Sequence, residues 1–355
     1  MSRFSIDSNI ISKDGPLYFI ADIGANHDGE INRAFKLIEL AKEAGAHAAK
    51  FQNFAASKIV SKKGFDNLGI QLSHQSNWEK SVYDTYADAS ISLDWTHKLK
   101  EKCDEVGITY FTSPYDHDSV DHVDKFVPAF KIGSGDISWH DILHYIGSKG
   151  KPVFLATGAS TLDEVKAAME VLNKYIEEIV LMQCNTNYTA KKENFKYINL
   201  NVLKTYKSNF PNVILGLSDH THGHATVVGA VALGARVIEK HFTDDNNRLG
   251  PDHKFAMNPN SWIKMVNNAN EVFLSLGNGE KKVEKNERET AFLQRRGLTY
   301  KKDLPKGHTI NYNDFFPLRP LNSNGITPYR SNEIVGKKLI NNVKVDDHVT
   351  WEDFE

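Results

Sequence analysis

From Leu17 to about Leu276 short apolar runs alternate with amphipathic stretches of helical period. The runs are LYFIADI (17–23), HAAKFQ (47–52), ITYFTS (108–113), AFKIGS (129–134), PVFLAT (152–157), IVLMQC (179–184), VILGLS (213–218) and RVIEKHF (236–242). Each reads as a strand buried on both faces, the pattern of a parallel sheet. Between them Val165, Ala168, Met169 and Leu172 recur at i, i+3, i+4 and i+7, behind a Thr161/Glu164 capping box. Another helix starts near Asp94, buries Trp95, Leu99, Cys103 and Val106, and stops at Gly107; a third runs from Ile31 to Ala44 and stops at Gly45. Eight strand-then-helix units in about 260 residues match a closed (β/α)₈ TIM barrel, an α/β fold. An open doubly wound sheet has the same local grammar and is the alternative.

Two stretches break the rhythm. Residues 57–88 are too long for a plain strand-to-helix loop and hold polar and aromatic residues (NWEKSVYDTY); such insertions shape active sites. The charged segment GNGEKKVEKNERET (277–290) reads as a linker, after which two copies of one unit follow. Leu304/Val343, Ile310/Val349, Tyr312/Trp351, Asp314/Asp353 and Phe315/Phe354 align at a constant offset of 39. The predicted division is a barrel over 1–276, a linker over 277–295 and a small, β-rich, pseudo-symmetric domain over 296–355. A domain of about 60 residues is marginal alone and is expected to pack on the barrel or on another subunit.

Composition narrows the function. The chain has 355 residues, with 43 basic and 45 acidic, a formal charge of −2. That balance gives no support for nucleic acid or an anionic membrane as the main partner. At 40% apolar and 25% charged residues, the composition is that of a soluble globular protein and argues against disorder. Two distant cysteines, Cys103 and Cys184, leave no disulfide framework and no cysteine-rich zinc site, and point to a reducing compartment. The first residues lack the apolar core of a signal peptide, and the most apolar stretch, Ala225 to Ile238, is short and contains Arg236. A cytoplasmic protein with no membrane partner is expected.

In a barrel the active site lies at the carboxyl ends of the strands. Those ends carry Asp22, Asn26 and His27; Lys50 and Gln52; Thr112 and Ser113; Lys131, Ser134 and Asp136; Thr157; Thr186 and Tyr188; Ser218, Asp219 and His220; and Glu239, Lys240 and His241, with Arg248 and Asp252 beyond. Lys50 and Lys131 interrupt apolar strands, which is costly without a partner. Two lysines with the hydroxyls of Ser113, Ser134 and Ser218 suit a phosphate or a phosphorylated carboxylate. Lys50 alone reads equally as a salt-bridge partner inside the barrel. His220 and His241 end adjacent strands; the pair reads equally as ligands of a divalent metal at an open site or as structural histidines. His27 reads equally as a loop-stabilising residue. GSGD (133–136) lacks the spacing of a dinucleotide fingerprint, and Cys184, without a neighbouring base, reads as an inert thiol.

The strings ADIGANHDG (21–29), KFQ (50–52), TSPYD (112–116), FKIGSGD (130–136), TG (157–158), GLSDHT (216–221), EKHFT (239–243), GPD (250–252) and RP (319–320) stand in this order over nearly the whole chain. Together they resemble the N-acetylneuraminate (sialic acid) synthase family, and the tail resembles that family's antifreeze-like (SAF) domain. The resemblance implies condensation of phosphoenolpyruvate with N-acetylmannosamine or a related N-acyl amino sugar in its open aldehyde form, giving a nine-carbon 2-keto acid and phosphate. It implies that His220 and His241 bind Mn²⁺ or Mg²⁺, and that Lys50, Ser113, Lys131, Ser134 and Ser218 hold phosphoenolpyruvate. Gln52, Asn77, Tyr188 and Asp252 would face the sugar. Arg319 would reach from the small domain into a partner subunit's site and contact the N-acyl group, which implies a domain-swapped homodimer.

The chain departs from the family near the reacting centre. Asp22 and Asp136, the carboxylates expected to be catalytic, stand where the family has Glu, and each retracts its carboxylate by about 1.5 Å. Thr186 takes the place of a substrate-binding Asn, and Ala156 that of a Ser. These changes favour a modified acceptor, such as a 2,4-diacetamido-trideoxy hexose of legionaminic or pseudaminic acid type. The competing readings are a metal-dependent hydrolase or other phosphoenolpyruvate-using barrel enzyme, which in the hydrolase case leaves both lysines idle, and a non-catalytic sugar-binding protein.

Overall fold

The computed structural model describes residues 3–355, apart from the side chain of Asn77. The chain divides into two compact units, Met1–Leu276 and Gly277–Glu355.

The first unit is an α/β barrel. Strands β1 (Arg3–Ile6) and β2 (Asn9–Ser12) form an antiparallel hairpin. The next eight are β3 (Tyr18–Asp22), β4 (Ala48–Asn53), β5 (Thr109–Pro114), β6 (Phe130–Ile132), β7 (Val153–Ala156), β8 (Ile179–Cys184), β9 (Ile214–Asp219) and β10 (Val237–His241). They form one parallel sheet in the order β5-β4-β3-β10-β9-β8-β7-β6, with β3 paired to β10. Its two edges, β5 and β6, lie beside each other, so the sheet is a nearly closed TIM-type barrel. A doubly wound sheet would reverse its strand order part-way across; here the order runs consecutively around the ring.

Local chemistry sets the helices as expected. Thr161 and Glu164 form the capping box of helix Leu162–Leu172, whose Val165, Ala168, Met169 and Leu172 are buried. Helix Leu93–Val106 ends where Gly107 takes the left-handed conformation, and it buries Leu99 and Cys103. Such faces fill a continuous apolar layer between helices and sheet.

Inside the ring, strand alternation decides everything above it. Tyr18, Ile20, Ala48, Phe111, Ala129, Phe154, Val180, Met182, Ile214 and Val237 fill the lower barrel. Phe4, Ile6 and Ile11 of the hairpin join this cluster, so the hairpin stoppers the amino-terminal end. This hairpin is absent from the sequence expectations. Stepping two residues on along each strand, from 20 to 22, 48 to 50, 111 to 113, 129 to 131, 154 to 156, 182 to 184 and 237 to 239, keeps the same face. That step brings Asp22, Lys50, Ser113, Lys131, Ala156, Cys184 and Glu239 to the carboxyl end of the interior, where all seven line one cavity.

The second unit has its own core. Strands β11 (Gly297–Tyr300) and β12 (Phe315–Leu318) pair antiparallel. Leu304, Ile310 and Phe315 meet their repeat partners Val343, Val349 and Phe354 in one buried cluster. Leu304 and Val343 exchange two backbone hydrogen bonds of 2.9 and 3.0 Å across the pseudo-symmetry axis. The repeated aspartates do the same work: Asp314 accepts from the amide of Asn311 (2.9 Å), and Asp353 from that of Thr350 (2.7 Å). Segment 277–295, expected as a linker, holds the helix Arg288–Gln294 and belongs to this unit.

Candidate active site

The cavity at the carboxyl ends of the strands has a volume of about 380 Å³. Its floor is a buried charge cluster. Lys50 donates to Asp22 at 2.6 Å, Lys131 donates to Glu239 at 2.8 Å, and Lys50 also lies 3.7 Å from Glu239. Ser218 donates to the same Glu239 oxygen at 3.3 Å. Asp22 accepts from the amide of Gly24 with its other oxygen (3.0 Å). Burial alone would neutralise these groups. For Asp22 it is outweighed by Lys50, His241 and Lys131, which hold the carboxyl at about 2; for Lys50, by Asp22 and Glu239, which raise it above the ordinary lysine value. Both reach neutral pH fully charged.

Among the described residues, four buried polar atoms at this cavity have no hydrogen-bond partner: His74 Nδ1, Ser113 Oγ, Glu239 Oε2 and His241 Nδ1. Native structures leave few such groups unpaired unless a ligand or water completes them. Asp136 follows on the turn Ser134–Asp136, and burial pushes its carboxyl up to about 6. Tyr115, half-buried, also lines the wall, where its phenol is raised by burial and by Asp136.

The two histidines come from neighbouring strand ends, with ring centroids 5.4 Å apart. His220 Nδ1 lies 2.9 Å from the Asn185 carbonyl, so it carries the proton and Nε2 keeps its lone pair. Burial, and then the neighbouring His241, hold His220 at about 3, so it is a neutral imidazole. His241 sits between two carboxylates, 3.4 Å from Asp22 and 3.5 Å from Asp252. Gly24, at φ +50°, lets Asp252 approach, because a Cβ there would stand 2.6 Å from the Asp252 carboxylate. Among the described residues no cluster of three or more His, Cys, Asp or Glu is arranged for a metal. A neutral imidazole with a free lone pair and an orphaned second imidazole nitrogen fit a divalent ion held by two protein ligands, its other positions left to water or substrate.

The 57–88 insertion folds as helices Ala56–Ile59, Lys62–Leu68 and Val82–Ala89 with a 3₁₀ turn Ser73–Asn77. It supplies the outer wall through His74, Trp78 and Tyr86. His74 packs on Tyr188 at 4.9 Å and on Trp78 at 5.4 Å; Tyr188 packs on His220 at 4.3 Å. A wider vestibule of about 1010 Å³ continues outward past Arg248 and Lys254.

Of the residues expected in the site, the structure brings together Asp22, Lys50, Gln52, Ser113, Lys131, Ser134, Asp136, Tyr188, Ser218, His220, His241 and Asp252. Thr186 is not on the wall; its methyl fills the space a Cβ on Gly158 would need (2.5 Å). The Asn77 side chain lies outside the described residues, and Arg319 belongs to the second unit, where it donates to Gln294. His27 is buried, accepts from the Gly29 amide at 3.0 Å, and is held at about 4 by burial, so it braces its loop. Sequence reasoning gave no role to Glu239, Tyr115, His74, Trp78 or Tyr86. Glu239 was findable, since two inward lysines demand inward carboxylates and the same two-residue step reaches it.

The NeuB family model matches residues 37–281 and the SAF domain model residues 295–355. The chain belongs to the NeuB family. It is similar over its length to an uncharacterised protein of Methanocaldococcus jannaschii, at 36% identity over 99% of both chains. It is 33% identical to the N,N'-diacetyllegionaminic acid synthase of Legionella pneumophila, covering 95% of this chain and 94% of that one. Among solved structures, the N-acetylneuraminic acid (sialic acid) synthetase of Leptospira borgpetersenii in complex with citrate superimposes with a TM-score of 0.71 at 26% identity, over 81% of this chain and 94% of that one. The L. pneumophila and L. borgpetersenii relatives are synthases of legionaminic and sialic acids, and this NeuB-family barrel carries its charged floor at the end where such barrels place their chemistry. Among the described residues no helix is long and apolar enough to cross a membrane.

Proposed function

We propose that the protein condenses phosphoenolpyruvate with the open aldehyde of an N-acyl amino hexose, giving a nine-carbon 2-keto sugar acid and phosphate. The observation that carries the reading is the pair of buried lysines at the cavity floor, with the Ser113 and Ser218 hydroxyls beside them. They hold the phosphate and carboxylate of phosphoenolpyruvate as a charge-assisted network. A metal-dependent hydrolase would leave both lysines without a task.

Carbon 3 of phosphoenolpyruvate supplies its π pair to the aldehyde carbon, the carbonyl oxygen takes up a proton, and carbon 2 becomes electron-poor. Asp22, held anionic, faces that developing positive charge. Water then adds to carbon 2, giving up one proton to a base; as the C2–O bond to phosphorus-bound oxygen breaks, the new hydroxyl becomes the keto group and its proton leaves with the phosphate. Asp136, ionised above about pH 6 and on the cavity wall, is the base. His220 and His241 would hold Mn²⁺ or Mg²⁺, which when bound polarises the aldehyde as a Lewis acid. Tyr188, Trp78 and His74 form an aromatic wall suited to the apolar faces and N-acyl methyls of the acceptor. This wall, with the L. pneumophila relative, supports a 2,4-diacetamido-trideoxy hexose as acceptor. We further propose a domain-swapped homodimer in which Arg319 serves the site of a partner subunit.

The test is phosphate release from phosphoenolpyruvate with Mn²⁺ against a panel of 2-acetamido and 2,4-diacetamido hexoses, with mass detection of the product. Phosphate together with a matching nine-carbon keto acid is expected for a diacetamido sugar. Phosphate released without a sugar, or no turnover of any acceptor by folded protein, would overturn the reading.

A further inference from the structure

One buried ion pair in the barrel touches nothing in the cavity. Asp219 and Lys240 are 3% and 1% exposed, form a direct hydrogen-bonded ion pair, and are absent from the cavity wall. They sit opposite each other in the β9–β10 ladder, one residue before His220 and one residue before His241. Ser218, His220, Glu239 and His241 face the cavity, so alternation turns Asp219 and Lys240 to the outer side of the sheet.

The pair is closed on itself. Lys240 also donates to the Thr221 carbonyl at 2.6 Å. Asp219 accepts from the Thr221 hydroxyl at 2.8 Å, the Thr226 hydroxyl at 2.7 Å and the Thr221 amide at 3.2 Å. The network therefore ties together the ends of β9 and β10, the turn that carries His220, and the first turn of helix Ala225–Ala232.

Burying two charges where apolar side chains would pack as well adds little stability, and the best-attested use of such a pair is to specify register. A slip of one residue by β9 or β10 would exchange the faces of every residue of that strand. It would turn one member of the charged pair inward and the histidine of the same strand outward, breaking the pair. We propose that Asp219 and Lys240 are positioning residues that fix the register and spacing of His220 and His241 from the far side of the sheet. The inference rests on the reading of the two histidines as metal ligands, and its test separates the two.

The variants are Asp219→Leu/Lys240→Met, which replaces both charges by apolar groups of similar length, and the milder Asp219→Asn, which keeps a side chain able to accept from Thr221 and Thr226. Mn²⁺ affinity is read from the relaxation of water protons, and phosphoenolpyruvate affinity from metal-free calorimetry. A crystal structure of the metal-free double variant reads the ring separation directly. Expected are a Kd for Mn²⁺ raised about tenfold or more in both variants, little change in phosphoenolpyruvate affinity, and rings displaced from the native 5.4 Å separation in the double variant. Folded variants with native Mn²⁺ affinity and native spacing would overturn the inference. His220→Ala tests the metal reading itself: unchanged Mn²⁺ binding there would sink that reading, and the ring spacing of the double variant would still decide the positioning role.

Discussion

At the scale of single residues, the site separates two carboxylates by environment. Asp22 is pinned anionic by Lys50, while Asp136 has no counter-charge and is raised to about 6 by burial. If Asp136 is the base, the rate falls as pH drops through about 6, because the protonated carboxyl cannot accept a proton from water. Asp136→Asn is expected to lower kcat by about 10²–10⁴ and to remove that acid limb from the pH profile of kcat. The same shift predicts a stability change of opposite sign. A carboxyl whose folded value lies above the unfolded 3.8 binds its proton more tightly when folded. Its stabilising contribution is complete below pH 3.8 and is lost as pH rises through about 6. The Asn variant avoids the cost of a buried charge, so metal-free thermal melts should place its Tm above wild type near about pH 8 and level with it near about pH 3.5. A parallel pH dependence of the two Tm values would show that Asp136 does not carry the shift.

At the scale of elements, the barrel strands were legible and the hairpin was not, and the difference is physical. Parallel strands covered on both faces must be apolar along their whole length, so each announces itself, and Lys50 and Lys131 stand out against that background. The hairpin Arg3–Ile6/Asn9–Ser12 buries Phe4, Ile6 and Ile11 and leaves Ile10 exposed, so its signal is a few apolar residues in two four-residue strands without a clean alternation. Glu239 was legible only through its partners: in its own strand it reads as one more polar end residue, and the two inward lysines are what call for an inward carboxylate there. Thr186 went the other way, since its position in CNTNY gives no sign that its methyl packs on Gly158. The hairpin's task can be measured. Ile6, fully buried in the lower barrel, should cost about 2–4 kcal/mol when truncated to Ala, read as a lowered urea midpoint of the barrel transition. The insertion makes a different prediction. Trp78 packs on His74 and Tyr86 and touches none of the floor charges. Trp78→Ala should raise the KM for the sugar about tenfold or more and leave the KM for phosphoenolpyruvate near wild type. Equal changes in both KM values would place the insertion outside acceptor binding.

At the scale of the whole molecule, the chain carries a barrel with a nearly complete site and a second unit whose repeated cores close on one another. Arg319 is exposed on that unit and bonded there to Gln294. The proposed homodimer gives this residue a use in trans, and trans use has a signature that neither a monomer nor an unswapped dimer can imitate. Arg319→Ala and His220→Ala should each lose turnover when purified alone. When the two are unfolded, mixed in equal amounts and refolded, half of the dimers are hybrids. In a hybrid, one site has an intact His220 with the partner's intact Arg319, and the other lacks both. About a quarter of wild-type activity should therefore return. If Arg319 served the barrel of its own chain, every site in every hybrid would still lack one of the two residues, and the mixture would stay as inactive as its parents. Mixing wild type with the double variant carrying both substitutions supplies the control: under trans use neither hybrid site is complete, whereas under cis use the wild-type chain keeps its own site.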